Sequence, residues 1–154
     1  MHSFFLVAHS ALRWVLLFGL IAVVVAAVRG WRASKPYETT DRKRVAAVVG
    51  VAHLQVLIGL IVYGVTGPWI TMLQENARQV MSTRALRFFA VEHSFSMIVA
   101  VVILQIGVIR AKRAEGDGVG WRRLAIASGL SLLIIVGSIP WPFMPYGRAL
   151  LRLQ

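Results

Sequence analysis

Apolar residues run almost without interruption through four stretches of the chain, residues 4–28, 45–65, 88–109 and 124–139, with no polar face of helical period inside them. The first three reach the roughly 20 residues that cross about 30 Å of hydrocarbon, and the fourth is shorter. Helices that are apolar all round belong in lipid or inside a large core, and a chain of 154 residues offers no such core. The pattern predicts an all-α integral membrane protein, a four-helix up-down bundle occupying 1–154 as a single transmembrane domain. The first run is expected to be a retained span, because residues 1–10 lack a basic n-region and the run outlasts a signal-peptide h-region.

The connections carry their own signals. Residues 29–44 contain Lys35-Pro36 and the polar run Glu38-Thr39-Thr40-Asp41, which predicts a solvated connector with Thr40 or Asp41 as the next helix N-cap. Thr66-Gly67-Pro68 stops the second span. Beyond it, Trp69, Ile70, Leu73, Ala77, Val80 and Met81 keep helical spacing and predict a short amphipathic helix over 69–81, lying on the outer membrane surface in the loop between spans two and three. Gly116-Asp117-Gly118 marks a tight turn, and Pro140, Pro142 and Pro145 end the fourth helix among aromatic residues suited to an interface.

Composition changes the picture in two ways. A net charge of +11 would suit nucleic acid, but the basic residues bracket the apolar runs instead of forming a soluble basic face. Arg29, Arg32, Lys35, Arg42, Lys43 and Arg44 fill one loop, and Arg110, Lys112, Arg113, Arg122 and Arg123 another. The opposite side holds Arg78, Arg84, Arg87, Arg148 and Arg152, so eleven cations face five, and the positive-inside rule places both termini outside. The absence of cysteine excludes disulfides, thiolate metal sites, iron–sulfur ligation and covalent c-type haem.

Against this apolar background, five ionisable residues stand out: His9, Arg13, His53, Glu92 and His93. A charge near the bilayer centre costs at least about 2.5–3.5 kcal/mol, so such residues face a partner, a cavity or a cofactor. At about 1.5 Å per residue, His9 lies roughly 8–9 Å below Ser3 and His93 roughly 7–8 Å below Phe88. The two histidines are therefore level, on helices that share a diagonal of an up-down bundle. Two imidazoles at one depth on facing helices are what a b-type haem requires as axial ligands. His53, roughly 20 Å below Thr66, is about 10 Å too deep unless the helix boundaries shift, and stands as the rival ligand.

Arg13 follows His9 by four residues and shares its face, with three open uses: an ion pair with Glu92, contact with a haem propionate, or a fork for a quinone or another anion. Glu92 adjoins His93 and cannot share its face. His53 and Gln55 diverge by about 200° around their helix. Trp14, Phe89 and Phe95 are available to flank a porphyrin, although core packing is their default use, and Gly19, Gly59, Gly64, Gly107, Gly129 and Gly137 are expected at close helix contacts. His2 is expected in solvent.

The strings HSALRW at 9–14, AHLQVLIGLIVY at 52–63, LRFFAVEH at 86–93 and SIPWPF at 138–143 together resemble a group of small four-helix bacterial membrane proteins labelled cytochrome b-like. The resemblance implies a multi-pass protein of the bacterial inner membrane with a haem b site. The paired histidines of multihaem cytochromes b, 13–14 residues apart on one helix, are missing: that step reaches Ala22 or Val23 from His9, and Ile106 or Gly107 from His93. One haem is the most this pattern supports. The leading expectation is thus an electron-transfer protein with one haem b, a membrane redox partner and quinone near Arg13. A cofactor-free accessory subunit is the alternative, and a proton or ion pathway through Glu92, His53 and Arg13 ranks last because the fourth span is almost wholly apolar. No self-contained enzyme site is visible, since no nucleophile, base and oxyanion donors can be assigned to one pocket.

Overall fold

The computed structural model describes residues 1–116 and 118–149, and its regular elements are all helices, with no strand among these residues. Helix α1 (His2–Arg32) is followed by α2 (Thr39–Ile61), whose axis continues through a π-helical turn, Val62–Thr66. The short α3 (Trp69–Ser82) and the single turn α4 (Arg84–Arg87) lead into a second π-helical turn, Phe88–Glu92, and then α5 (His93–Lys112). Helix α6 (Val119–Gly137) closes the order. Four continuous helical stretches, His2–Arg32, Thr39–Thr66, Arg84–Lys112 and Val119–Gly137, are long and apolar enough to cross a membrane.

The first three stretches outrun their apolar runs at both ends, because helix propensity does not end where hydropathy does, whereas the fourth starts ahead of its run and stops at Gly137, two residues short of the expected end. Arg29 and Arg32 occupy the last turn of α1, and Arg110 and Lys112 the last turn of α5, where cations complement the negative end of the helix dipole. The expected N-cap at Thr40 or Asp41 is corrected to Glu38, whose extended backbone (ψ 167°) starts α2 at Thr39 and leaves Asp41 in the first turn, where its carboxylate suits the positive end. Gly116 and Gly118 have φ of 87° and 74° in the tight turn before α6, while Asp117 and Arg152 lie outside the described residues. Helix α3 covers the expected amphipathic segment but breaks at Asn76 (φ −150°, ψ 62°), and its buried Val80 anchors it to the bundle.

Helix α1 packs on α2 and α6, and α5 packs on α2 and α6, so α1 and α5 face each other across the diagonal. The closest pair is α5 and α6, where a Cβ on Gly107 would collide with Ala127. Small residues let helix backbones approach in this way where lipid supplies no hydrophobic drive. By contrast, Gly129 and Gly137 meet nothing within 4 Å, which corrects the expectation that they mark helix contacts. No sequence signal points to this, because a glycine's face depends on neighbours it does not name.

The bundle is unevenly filled. Toward the loop that joins α1 to α2, Leu20, Ala27, Leu104, Ala111, Trp121 and Leu124 are almost wholly buried and form a continuous core. Phe18, Leu57, Val102 and Leu133 point outward, an apolar exterior that suits a lipid surround. At the opposite end the four helices part, and the core gives way to a cavity.

Candidate cofactor cavity

Three helix faces line that cavity at regular spacing. Helix α1 supplies His2, Leu6, His9, Arg13 and Leu16, at intervals of three or four residues. Helix α2 supplies Ala52, Gln55 and Gly59, with Tyr63 from the π-helical turn beyond it, and α5 supplies His93, Met97 and Val101. The enclosed volume is about 290 Å³, near the lower edge of ordinary small-molecule cavities. Among neighbouring spans, α2 and α5 touch least, and the cavity reaches outward toward Leu60 and Ile98 along their seam.

His9 and His93 meet inside it, with ring centroids 6.4 Å apart and planes inclined at 72°. No hydrogen bond joins the two rings. His93 Nδ1 lies 2.8 Å from the backbone carbonyl of Ser138. A carbonyl only accepts, so Nδ1 carries the proton and Nε2 keeps its lone pair. On the other side of the pair, Gln55 Nε2 donates to the backbone carbonyl of His9 at 3.0 Å and to its ring Nε2 at 3.3 Å. Both His9 Nδ1 and Gln55 Oε1 remain buried without a hydrogen-bond partner. Gly59 makes room for the imidazole: a Cβ there would stand 3.1 Å from His9 Cε1, tighter than ordinary van der Waals contact.

The π-helical turn at Phe88–Glu92 explains why adjacent residues diverge. A π turn takes in more chain per turn than an α-helix and so shifts the phase of the helix beyond it, and such turns recur at functional sites. Here it brings His93 inward while Glu92 stays exposed, where its Oε1 receives a 2.7 Å hydrogen bond from Arg87 Nε. Glu92 therefore pairs within its own segment and not with Arg13. Arg13 Nη2 donates to the buried Ser10 Oγ at 3.4 Å, and its guanidinium lies 5.6 Å from the Trp14 ring centre.

Among the residues singled out from sequence, the structure brings His9, His93 and Arg13 to one cavity and leaves His53 and Glu92 away from it. His53 is exposed on the outer face of α2, and its Nδ1 donates to the Val49 carbonyl 2.8 Å away on its own helix. Of the three aromatics, Phe89 lines the cavity, while Trp14 stacks on the outward Phe18 and Phe95 is exposed. His2 is exposed, as expected, at the cavity mouth, where it shares a 2.9 Å hydrogen bond with Thr66 Oγ1. Tyr63, Trp69 and Arg148 also line the cavity, although the sequence pattern does not single them out for it. A signal existed for Gln55, which precedes Gly59 by four residues in an apolar run and so shares its face. None existed for the Ser138 carbonyl, a backbone group. Comparison with protein-family models, with curated proteins and with solved structures gave no match to this chain.

Proposed function

We propose that this chain is a small membrane electron-transfer protein that holds one b-type haem between His9 and His93. The observation that carries the reading is the imidazole pair itself. The ring centres are 6.4 Å apart, a separation at which His9 and His93 would each be able to give a nitrogen to one bound metal at about 2 Å. The donor chemistry agrees at His93, whose tautomer is fixed by Ser138, the usual outer support of a metal-bound histidine; at His9 the lone pair is on Nε2, which accepts from Gln55, so metal binding there requires that amide to turn away.

A bound haem would supply one-electron redox chemistry. The remaining lining residues supply its setting. Arg13 offers a planar cation for a carboxylate, either a propionate or a quinone-type anion. Trp69 and Phe89, stacked at 5.5 Å, add an aromatic surface to the lining. The cavity is small for a whole porphyrin, so the reading requires the α2–α5 seam to widen, with Met97 as its most adaptable side chain. The excess of basic residues in the α1–α2 and α5–α6 loops supports a topology with both termini outside and α3 on the outer surface, and a multi-pass location in a bacterial inner membrane beside a redox partner.

That small volume also favours a second reading, a cofactor-free accessory subunit in which the T-shaped histidine pair is a packing contact. Aromatic rings commonly meet at 4.5–7 Å in this way. A reduced-minus-oxidised absorption spectrum of protein purified in mild detergent after haem-replete expression separates the two. The haem reading expects a sharp α band that is lost in His93→Ala and in His9→Ala and kept in His53→Ala. Colourless, folded protein would remove the haem reading and favour the second.

A further inference from the structure

At the opposite end of the bundle a second cavity, of about 710 Å³, opens between the C-terminus of α1, the α1–α2 loop and the start of α6. Arg29, Arg32 and Lys35 line it together with Glu38 and Asp41. These three cations and two carboxylates form no hydrogen bond or ion pair with one another or with any other side chain among the described residues. Oppositely charged side chains in one pocket that remain apart leave both signs free for a ligand that carries both.

The frame around them is fixed. Lys35 N donates to the Gly30 carbonyl at 3.0 Å, Gly118 N to the Lys35 carbonyl at 3.0 Å, and Trp121 Nε1 to the Pro36 carbonyl at 3.2 Å. Trp121, itself buried, forms the inner wall against Gly30. The lining then continues to Ala26, one turn into the apolar span, beside the exposed Val25 and Trp31. A polar chamber at the membrane boundary that runs on into an apolar flank has the profile of a phospholipid, with headgroup above and acyl chain below.

We propose that this pocket binds a phospholipid whose headgroup pairs a phosphate with a primary ammonium, of the phosphoethanolamine type. The phosphate faces Arg29, Arg32 and Lys35, and the ammonium is received by Glu38 and Asp41. A purely anionic headgroup would satisfy the cations and meet repulsion from the carboxylates. A quaternary ammonium would satisfy charge but has no N–H to donate.

The test is native mass spectrometry of the full chain in detergent with equimolar phosphatidylethanolamine, phosphatidylglycerol and phosphatidylcholine. Phosphatidylethanolamine should be retained over phosphatidylglycerol by about fivefold, the worth of roughly one well-placed charge near the membrane surface, and over phosphatidylcholine by about the same factor through the N–H donors that the quaternary headgroup lacks. The pair Glu38→Gln and Asp41→Asn should erase that preference and raise phosphatidylglycerol, whereas Arg29→Gln with Arg32→Gln should weaken every phospholipid. Phosphatidylglycerol bound best by the unmodified chain, or no retained lipid, would overturn the proposal. Displacement by equimolar soluble glycerophosphoethanolamine would overturn the assignment to a lipid. If a variant fails to fold by circular dichroism, the ranking on the unmodified chain decides.

Discussion

The phenol of Tyr63 donates a 2.8 Å hydrogen bond to the backbone carbonyl of Ala90, joining the π-helical turn that ends the second span to the one that opens the third. Both turns border the cavity, and Ala90 lies three residues before His93. The bond therefore sets how the irregular start of the third span sits against α2, and through it where His93 points. Tyr63→Phe keeps the ring and removes this one bond. It is expected to cost about 1 kcal/mol, a fall of roughly 2–4 °C in thermal midpoint for a chain of this size. If haem binds, retention should fall as well. An unchanged midpoint with unchanged haem would show that the two π turns hold their register without Tyr63.

Gly59 and His9 make a sharper case, since the contact is steric. The nearest atom to a Cβ at position 59 is His9 Cε1, at 3.1 Å. Alanine there requires a few tenths of an ångström of give, and valine adds two methyl groups where the imidazole lies. Gly59→Val should displace the ring, cost about 1–3 kcal/mol by overpacking and abolish any haem spectrum, whereas Gly129→Ala, in open space, should change neither. Thermal unfolding and absorption of the two variants side by side give the answer. A normal haem spectrum in Gly59→Val would remove His9 from the ligand set.

These residues also show what the sequence could and could not disclose. Four helices long and apolar enough to cross a membrane were readable because such length and all-round apolarity is a signal too strong for local propensity to hide. His9 and His93 were readable as level because helix rise is constant and their helices run in the same direction. The inward turn of His93 and outward turn of Glu92 depend on a π turn whose residues, Phe88, Phe89, Ala90 and Val91, carry no mark that separates them from an α-helix. His53 shows the limit of residue type as a clue: a histidine in an apolar helix can satisfy itself on its own helix, here through Val49, without lining the cavity.

Tyr37 offers a test at the other end of the bundle, in the α1–α2 loop. Its ring packs edge-on against Trp121 at 4.8 Å, and its hydroxyl is buried without a hydrogen-bond partner. Burial pushes the phenol up to about 12, a shift partly opposed by the neighbouring Arg42. Because the folded value lies above the unfolded one of about 10, the neutral phenol's contribution to stability is complete below pH 10 and fades as pH rises toward 12. Tyr37→Phe should therefore be neutral or stabilising by about 1 kcal/mol at pH 7, and should lose less stability than the unmodified chain between pH 10 and 12. Thermal midpoints in detergent across that range provide the comparison, and parallel curves for the two proteins would mean the hydroxyl is solvated.

Glu92 separates charge from site. Its carboxylate pairs with Arg87 at 2.7 Å, with the two side chains 45% and 37% exposed, and neither lines the cavity. Exposed ion pairs of this kind contribute about 0–1 kcal/mol, so Glu92→Gln should lower the thermal midpoint by no more than a few degrees. It should leave any haem spectrum intact, because the π turn and not the carboxylate directs His93 inward. Loss of the spectrum in Glu92→Gln, with the fold preserved, would mean that the charge acts on the histidine pair. The proton-pathway reading requires the same carboxylate to be indispensable, so proton flux through liposomes carrying the unmodified chain and Glu92→Gln tests it directly. Equal flux in both removes Glu92 from any such route.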